Sequence, residues 1–159
     1  MSDDKVPMTL EGKRLLEEEM KHLTYVERPK VVAAIEFARS LGDLSENADY
    51  SAAKERQGFI EGRIQEINAK FARAQVIDPT QIKSDKIVFG AKVILEEQET
   101  GNAVHYQIVG SDEADIKKNK VSITSPLARS LIGKKEGDEV EVRAPRGIIN
   151  YSVVEIKYV

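Results

Sequence analysis

The chain has 159 residues, of which 41% are hydrophobic and 32% charged, enough for one larger or two small globular domains with a heavily charged surface. It carries no cysteine and only two histidines, His22 and His105. That composition excludes disulfides, thiolate metal sites and a cysteine nucleophile, and it argues against a multi-histidine metal centre. A formal net charge of −3 disfavours non-specific binding to a duplex through a broad basic face and leaves room for a local basic strip.

The first residues, Met1 to Leu10, include Asp3, Asp4 and Pro7 and lack the apolar run of a secretory signal. No stretch approaches the roughly 20 apolar residues of a membrane span. A cytoplasmic protein without membrane contact is expected.

Helical spacing starts after Thr9, a candidate N-cap, although Gly12 weakens the first turn. Leu16, Met20 and Leu23 step by four and three, and Ile60, Ile64, Ile67, Phe71 and Ala74 repeat the same alternation. This is the seam of a coiled coil. Paired core positions of a fold-back hairpin should have a near-constant sum of residue numbers. Leu10 with Ile77, Leu16 with Phe71, Met20 with Ile67 and Leu23 with Ile64 each sum to 87. Ile35 with Ala53 and Ala38 with Tyr50 each sum to 88. The midpoint falls in Leu41-Gly42-Asp43-Leu44-Ser45-Glu46-Asn47, a segment of turn residues. The arithmetic predicts an antiparallel helical hairpin over 10–77 with its tip at 42–46. Each arm of about 30 residues would be roughly 45 Å long. Pro29 predicts a kink or short break in the first arm, because proline removes a backbone donor and crowds the preceding turn.

The pattern changes near Asp78-Pro79-Thr80, which divides an expected hairpin domain at 1–78 from a second domain at 79–159. Candidate strands there are Lys92–Glu97, Val104–Val109, Lys120–Ile123, Glu139–Ala144 and Ile149–Ile156. Glu99-Thr100-Gly101-Asn102 signals a hairpin. Ser125-Pro126 opens a short helix, with serine at the N-cap, proline at N1 and Gly133 at its end. The fold class is α+β.

Asp43 and Glu46 stand three apart at the expected tip. One reading is a capping box, with Asp43 as N-cap of the returning helix and Glu46 at N3. The other is a site for Mg²⁺, which keeps several waters and often takes only one or two protein carboxylates. Such a site is useful when a partner supplies the rest of the shell. In two-metal phosphoryl chemistry the ions sit about 3.5–4 Å apart and one generates the attacking hydroxide. Behind the tip, Arg39, Lys54, Arg56 and Arg63 are either a solvated face with helix ion pairs or a strip for an RNA phosphate backbone. Tyr50 fills the narrowing core or stacks on a base. His22 suits a partly exposed structural residue, Lys117-Lys118-Asn119-Lys120 a solvated loop, and Ser125 a cap rather than a nucleophile, since no triad pattern surrounds it.

Ala38-Arg39-Ser40-Leu41-Gly42-Asp43-Leu44-Ser45-Glu46-Asn47-Ala48-Asp49-Tyr50, followed by Ala52-Ala53-Lys54-Glu55, resembles the tip signature of the Gre family of transcript-cleavage factors. Pro7-Met8-Thr9, Gln57-Gly58-Phe59 and Glu61-Gly62-Arg63-Ile64 are similar to other parts of its first half. Val109-Gly110, Glu113-Ala114-Asp115, Ser125-Pro126-Leu127-Ala128-Arg129 and Leu131-Ile132-Gly133-Lys134 resemble its C-terminal domain. The match spans nearly the whole chain in order.

The resemblance implies a bacterial elongation factor that is not itself an enzyme. Its coiled-coil hairpin would enter the secondary channel of RNA polymerase, and a C-terminal domain of FKBP-like fold would dock on the channel rim. Asp43 and Glu46 would help hold a catalytic Mg²⁺ shared with the polymerase, the chain having no cofactor of its own. The polymerase would then hydrolyse the 3′ end of backtracked RNA. By the same resemblance Arg39 and Lys54 carry the basic patch, Ser125 and Pro126 face the rim, and the factor acts as a monomer. The acidic pI and two acids at the tip are similar to the less basic, cleavage-stimulating members. Two alternatives remain. One is a prolyl isomerase, argued against by the few aromatics of the second half (Phe89, Tyr106, Tyr151, Tyr158). The other is an inhibitory plug that uses the same hairpin without chemistry.

Overall fold

A computed structural model describes residues 5–43 and 47–159. Lys13–Ala74 forms one compact unit, and the chain up to Gly12 joins Gln75–Val159 in the other.

The first unit is helical. Helix α1 spans Leu10–His22, α2 Arg28–Ser40 and α3 Ala48–Arg73. The arms run antiparallel, as their cross-arm ion pairs show: Arg63 with Glu19, Arg28 with Glu61 and Arg56 with Glu27. Val31, Ile60 and Ile64 form a buried cluster with Met20 and Leu23 packed against it. Ile35, Ala38 and Ile67 are buried as well. The alternation of four and three therefore marks the seam between the arms, as predicted.

Between α1 and α2 the break expected at Pro29 takes the form of a π-helical segment, Leu23–Glu27. The Arg28 N–H donates to the Leu23 carbonyl, five residues back. Pro29 occupies the first turn of α2, where its missing N–H is least costly. A π turn inserts one residue into the helical register. Continued from Leu16, Met20 and Leu23, the heptad would bury Glu27, Lys30, Ala34 and Phe37. The buried residues are Val31, Ile35 and Ala38, each one position later. The same inserted residue accounts for the change in pairing sum from 87 to 88.

The helical hairpin is shorter than predicted. Helix α3 stops at Arg73, and Ala74–Ile77 is strand β2, paired with strand β1 at Val6–Thr9. Leu10 and Ile77 are therefore not a helical core pair, and Leu10 is 46% exposed. Val76 and Ile77 are β-branched, and Pro79 disfavours helical backbone just ahead of it. A second extended segment nearby then decides in favour of a ladder.

The second unit centres on a five-stranded sheet. Its strands are β3 Lys92–Glu97, β4 Ala103–Val109, β5 Lys120–Ser122, β6 Glu139–Ala144 and β7 Gly147–Lys157, in the order β5-β4-β3-β7-β6. β4 and β5 are parallel and the other neighbours antiparallel. All five expected strands are present. Helix α4, Pro126–Leu131, has Ser125 as N-cap, accepting from the Ala128 N–H, and proline in its first turn. Gly133 follows at φ +86°, the left-handed conformation that ends many helices. Ala128 and Leu131 are fully buried in a core with Ile87, Val93, Leu95, Ile108, Val140 and Val153. Phe89 and Tyr151 are buried too, and the Tyr158 hydroxyl donates to the Lys86 carbonyl.

Candidate functional site at the turn between the helical arms

The turn from α2 to α3 is set by Gly42 and Asn47. Gly42 adopts φ +128°, a conformation that side-chain-bearing residues rarely take. Asn47 caps α3: its Oδ1 accepts from the Tyr50 N–H at 3.0 Å, and its Nδ2 donates to the Ala38 carbonyl at 2.5 Å. One side chain thus satisfies an orphan donor of one helix and an orphan acceptor of the other. The capping box expected at Asp43 is not what starts α3. The helix begins four residues later, because asparagine offers both an acceptor and a donor where aspartate offers only acceptors. Asp43 is exposed in the turn. Glu46, the other predicted carboxylate, lies outside the described residues.

The four basic residues behind the turn divide into two kinds. Arg63 makes a bidentate pair with Glu19, at 2.6 and 2.7 Å, and also reaches Glu66. That hydrogen bonding, more than the surrounding charge, holds the Glu19 carboxyl below the usual range and raises the Arg63 guanidinium. Arg56 donates to Glu27, whose carboxyl is lowered chiefly for that reason and further by His22. These two arginines clamp the arms together. Arg39 and Lys54 differ: among the described residues neither makes an ion pair. The Arg39 guanidinium lies 5.9 Å from the centre of the Tyr50 ring, and Lys54 donates to Gln57. Tyr50 is half-buried and so both fills the narrowing seam and carries Arg39 on its face.

Tyr25, Phe37 and Phe59 were not predicted as surface features, yet they are 75%, 66% and 71% exposed. Phe59 adjoins the seam residue Ile60 without occupying a seam position, whereas Phe37 leaves the seam only because of the π turn. In the second unit Ser125 is engaged as a helix cap and Pro126 is exposed. Among the described residues no group of three or more His, Cys, Asp or Glu could hold a metal, and no helix is long and apolar enough to cross a membrane.

The family model for the N-terminal domain of transcription elongation factors matches residues 6–76, and that for the C-terminal domain of GreA and GreB matches residues 82–158. The chain belongs to the GreA/GreB family of transcription elongation factors. It is 58% identical over 154 residues to the transcription elongation factor GreA of Verminephrobacter eiseniae, covering 96% of this chain and 98% of that one. To the GreA of Syntrophotalea carbinolica it is 60% identical over 153 residues, covering 96% and 97%. Among solved structures, GreA factor homolog 1 of Thermus thermophilus is 23% identical, with coverage of 96% and 99% and a TM-score of 0.43. The turn between α2 and α3 lies within the segment matched by the N-terminal family model. The relatives are named as transcription elongation factors.

Proposed function

We propose that this chain stimulates the transcript-cleavage activity of RNA polymerase by carrying Asp43 and Glu46 through the secondary channel to the polymerase active centre. The observation that carries this reading is the division of labour at the turn. Asn47 caps α3, and Asp43 stands exposed in the turn between ion-pair-clamped helical arms. Oxygen donors of this kind suit Mg²⁺, which often takes only one or two protein carboxylates and leaves the rest of its shell to water or a partner. When bound, the ion would lower the pKa of a coordinated water and so help to generate the hydroxide that attacks the phosphodiester.

In this reading the antiparallel helices act as a coiled-coil probe, and their exposed aromatics face channel walls. Asp43 and Glu46 donate oxygens and orient water. Arg39, steadied over Tyr50, and Lys54 neutralise phosphate oxygens at the 3′ end of backtracked RNA. The C-terminal domain, over 79–159 and of FKBP-like type, docks on the channel rim with the Ser125-Pro126 turn facing it. The factor works as a cytoplasmic monomer.

The test is RNA cleavage in a backtracked polymerase complex, with Mg²⁺ titrated. Asp43→Ala and Glu46→Ala should each abolish stimulation while leaving polymerase binding near wild type. Stimulation by both variants at saturation would sink the proposal, as would a wild-type chain that occupies the complex without raising cleavage.

A further inference from the structure

Across the second unit's sheet, on the face turned away from α4, the strand registers place Lys120, Gln107, Lys92 and Lys157 in one row. Gln107 is the partner of Lys120 and of Lys92, and Lys92 is also the partner of Lys157. Lys92 and Ile94 alternate with Val93 and Leu95, which enter the core, so the row lies on the opposite face. Lys118 adds a fourth ammonium from the turn before β5. These residues, with His105 and Val159, line a cavity of about 460 Å³, within the range of small-ligand sites.

Two features single out this face. The chain as a whole is acidic, yet four lysines converge here. Lys157 has a carboxylate partner, Glu155 at 3.5 Å, whereas Lys92, Lys118 and Lys120 have no ion pair among the described residues. Moreover Lys92 and Lys157 stand directly opposite each other on antiparallel strands, where like charges repel. An anion between them converts that repulsion into attraction.

We propose that this cavity binds a nucleotide-sized polyphosphate, with Lys92, Lys118, Lys120 and Lys157 holding its phosphates and Ile94 and Val159 meeting its less polar portion. A small ligand fits better than a nucleic-acid strand because the basic row is short. The same face of β3 runs from Lys92 through Ile94 to Glu96, and Glu155 flanks it on β7. Carboxylates therefore close the track within a few residues.

Isothermal titration calorimetry on the full chain, with inorganic triphosphate, ATP and a single-stranded RNA 12-mer as separate probes, tests the assignment. Triphosphate and ATP should bind saturably, more weakly as salt rises, and should raise the melting temperature. Lys92→Gln with Lys120→Gln should weaken ATP binding by roughly tenfold or more, whereas Lys134→Gln, outside the cavity, should leave it unchanged. Absence of saturable ATP binding by a wild-type chain that melts cooperatively would overturn the proposal. So would ATP binding that the double variant retains, or binding of the RNA alone.

Discussion

Glu113 accepts hydrogen bonds from both the backbone N–H and the hydroxyl of Thr9, which lies 104 residues earlier in the chain. The same carboxylate accepts from the Gly110 N–H at 3.0 Å, while the Thr9 hydroxyl oxygen accepts from the Gly12 N–H and so caps α1. One side chain thus ties Thr9 and Gly110 together within the second unit, to which the chain up to Gly12 belongs. Glu113→Ala strands three donors that are largely out of water. A loss of about 2–3 kcal/mol in unfolding free energy is expected, measured by urea denaturation.

Gly12 offers a sharper test of that contact. In an ordinary helix, glycine to alanine is stabilising by about 1 kcal/mol. Here a Cβ on Gly12 would overlap the Glu113 carboxylate. Gly12→Ala should therefore destabilise by about 1–2 kcal/mol, since Glu113 must swing away and release Thr9. In a Glu113→Ala background the same substitution should become stabilising. A Gly12→Ala change with one sign in both backgrounds would refute the coupling.

The π turn at Leu23–Glu27 should tolerate both the loss of its proline and the loss of one residue. Pro29→Ala restores a donor but leaves the shifted apolar phase in place, so a change within about 1 kcal/mol is expected. Deleting Thr24 removes the inserted residue, so a continuous α-helix would bring Val31, Ile35 and Ala38 onto the seam in the phase set by Leu16, Met20 and Leu23. Thermal melts followed by circular dichroism should place the deletion within a few degrees of Pro29→Ala, and a deletion that melts far lower would contradict the reading of the π turn as one inserted residue.

Asn47→Ala should cost about 1–2 kcal/mol, the range of a lost helix cap, and speed amide hydrogen exchange at Tyr50. Asn47→Asp keeps the acceptor for Tyr50 and loses the donor to Ala38. It should fall between wild type and alanine. Equal effects of the two substitutions would mean that the bond to Ala38 contributes nothing.

The Glu19–Arg63 pair predicts an acid dependence. Its carboxyl is lowered in the folded state, chiefly by the hydrogen bonds from Arg63. Its contribution is therefore complete above the unfolded value of about 4.3 and is lost as pH falls through the lower folded value. Solvent screens this half-exposed pair, so Glu19→Gln should cost about 1 kcal/mol at pH 7. The gap in melting temperature between variant and wild type should close below about pH 4. A gap that widened in acid would contradict the assignment.

Much of the helical unit follows from sequence alone, because a seam of alternating four and three steps is a local property of each helix. Even the one-residue jump in the pairing sum was legible before its cause, since core spacing records the π turn that Pro29 accompanies. The turn, its two acids and its basic neighbours are likewise a contiguous motif. Other features depend on partners distant in the chain. Whether Ala74–Ile77 is helix or strand depended on Val6–Thr9 lying alongside it, and which residue capped α3 depended on the reach of Asn47 to Ala38. Periodicity cannot separate Arg56 and Arg63, which the opposite arm neutralises, from Arg39 and Lys54. Nor can it show Thr9 bound to Glu113 or Lys92 facing Lys157. Spacing along the chain encodes which face of an element is apolar. Only tertiary structure decides which polar group meets which, because hydrogen bonds and charges act over a few ångströms between residues that the sequence holds a hundred positions apart.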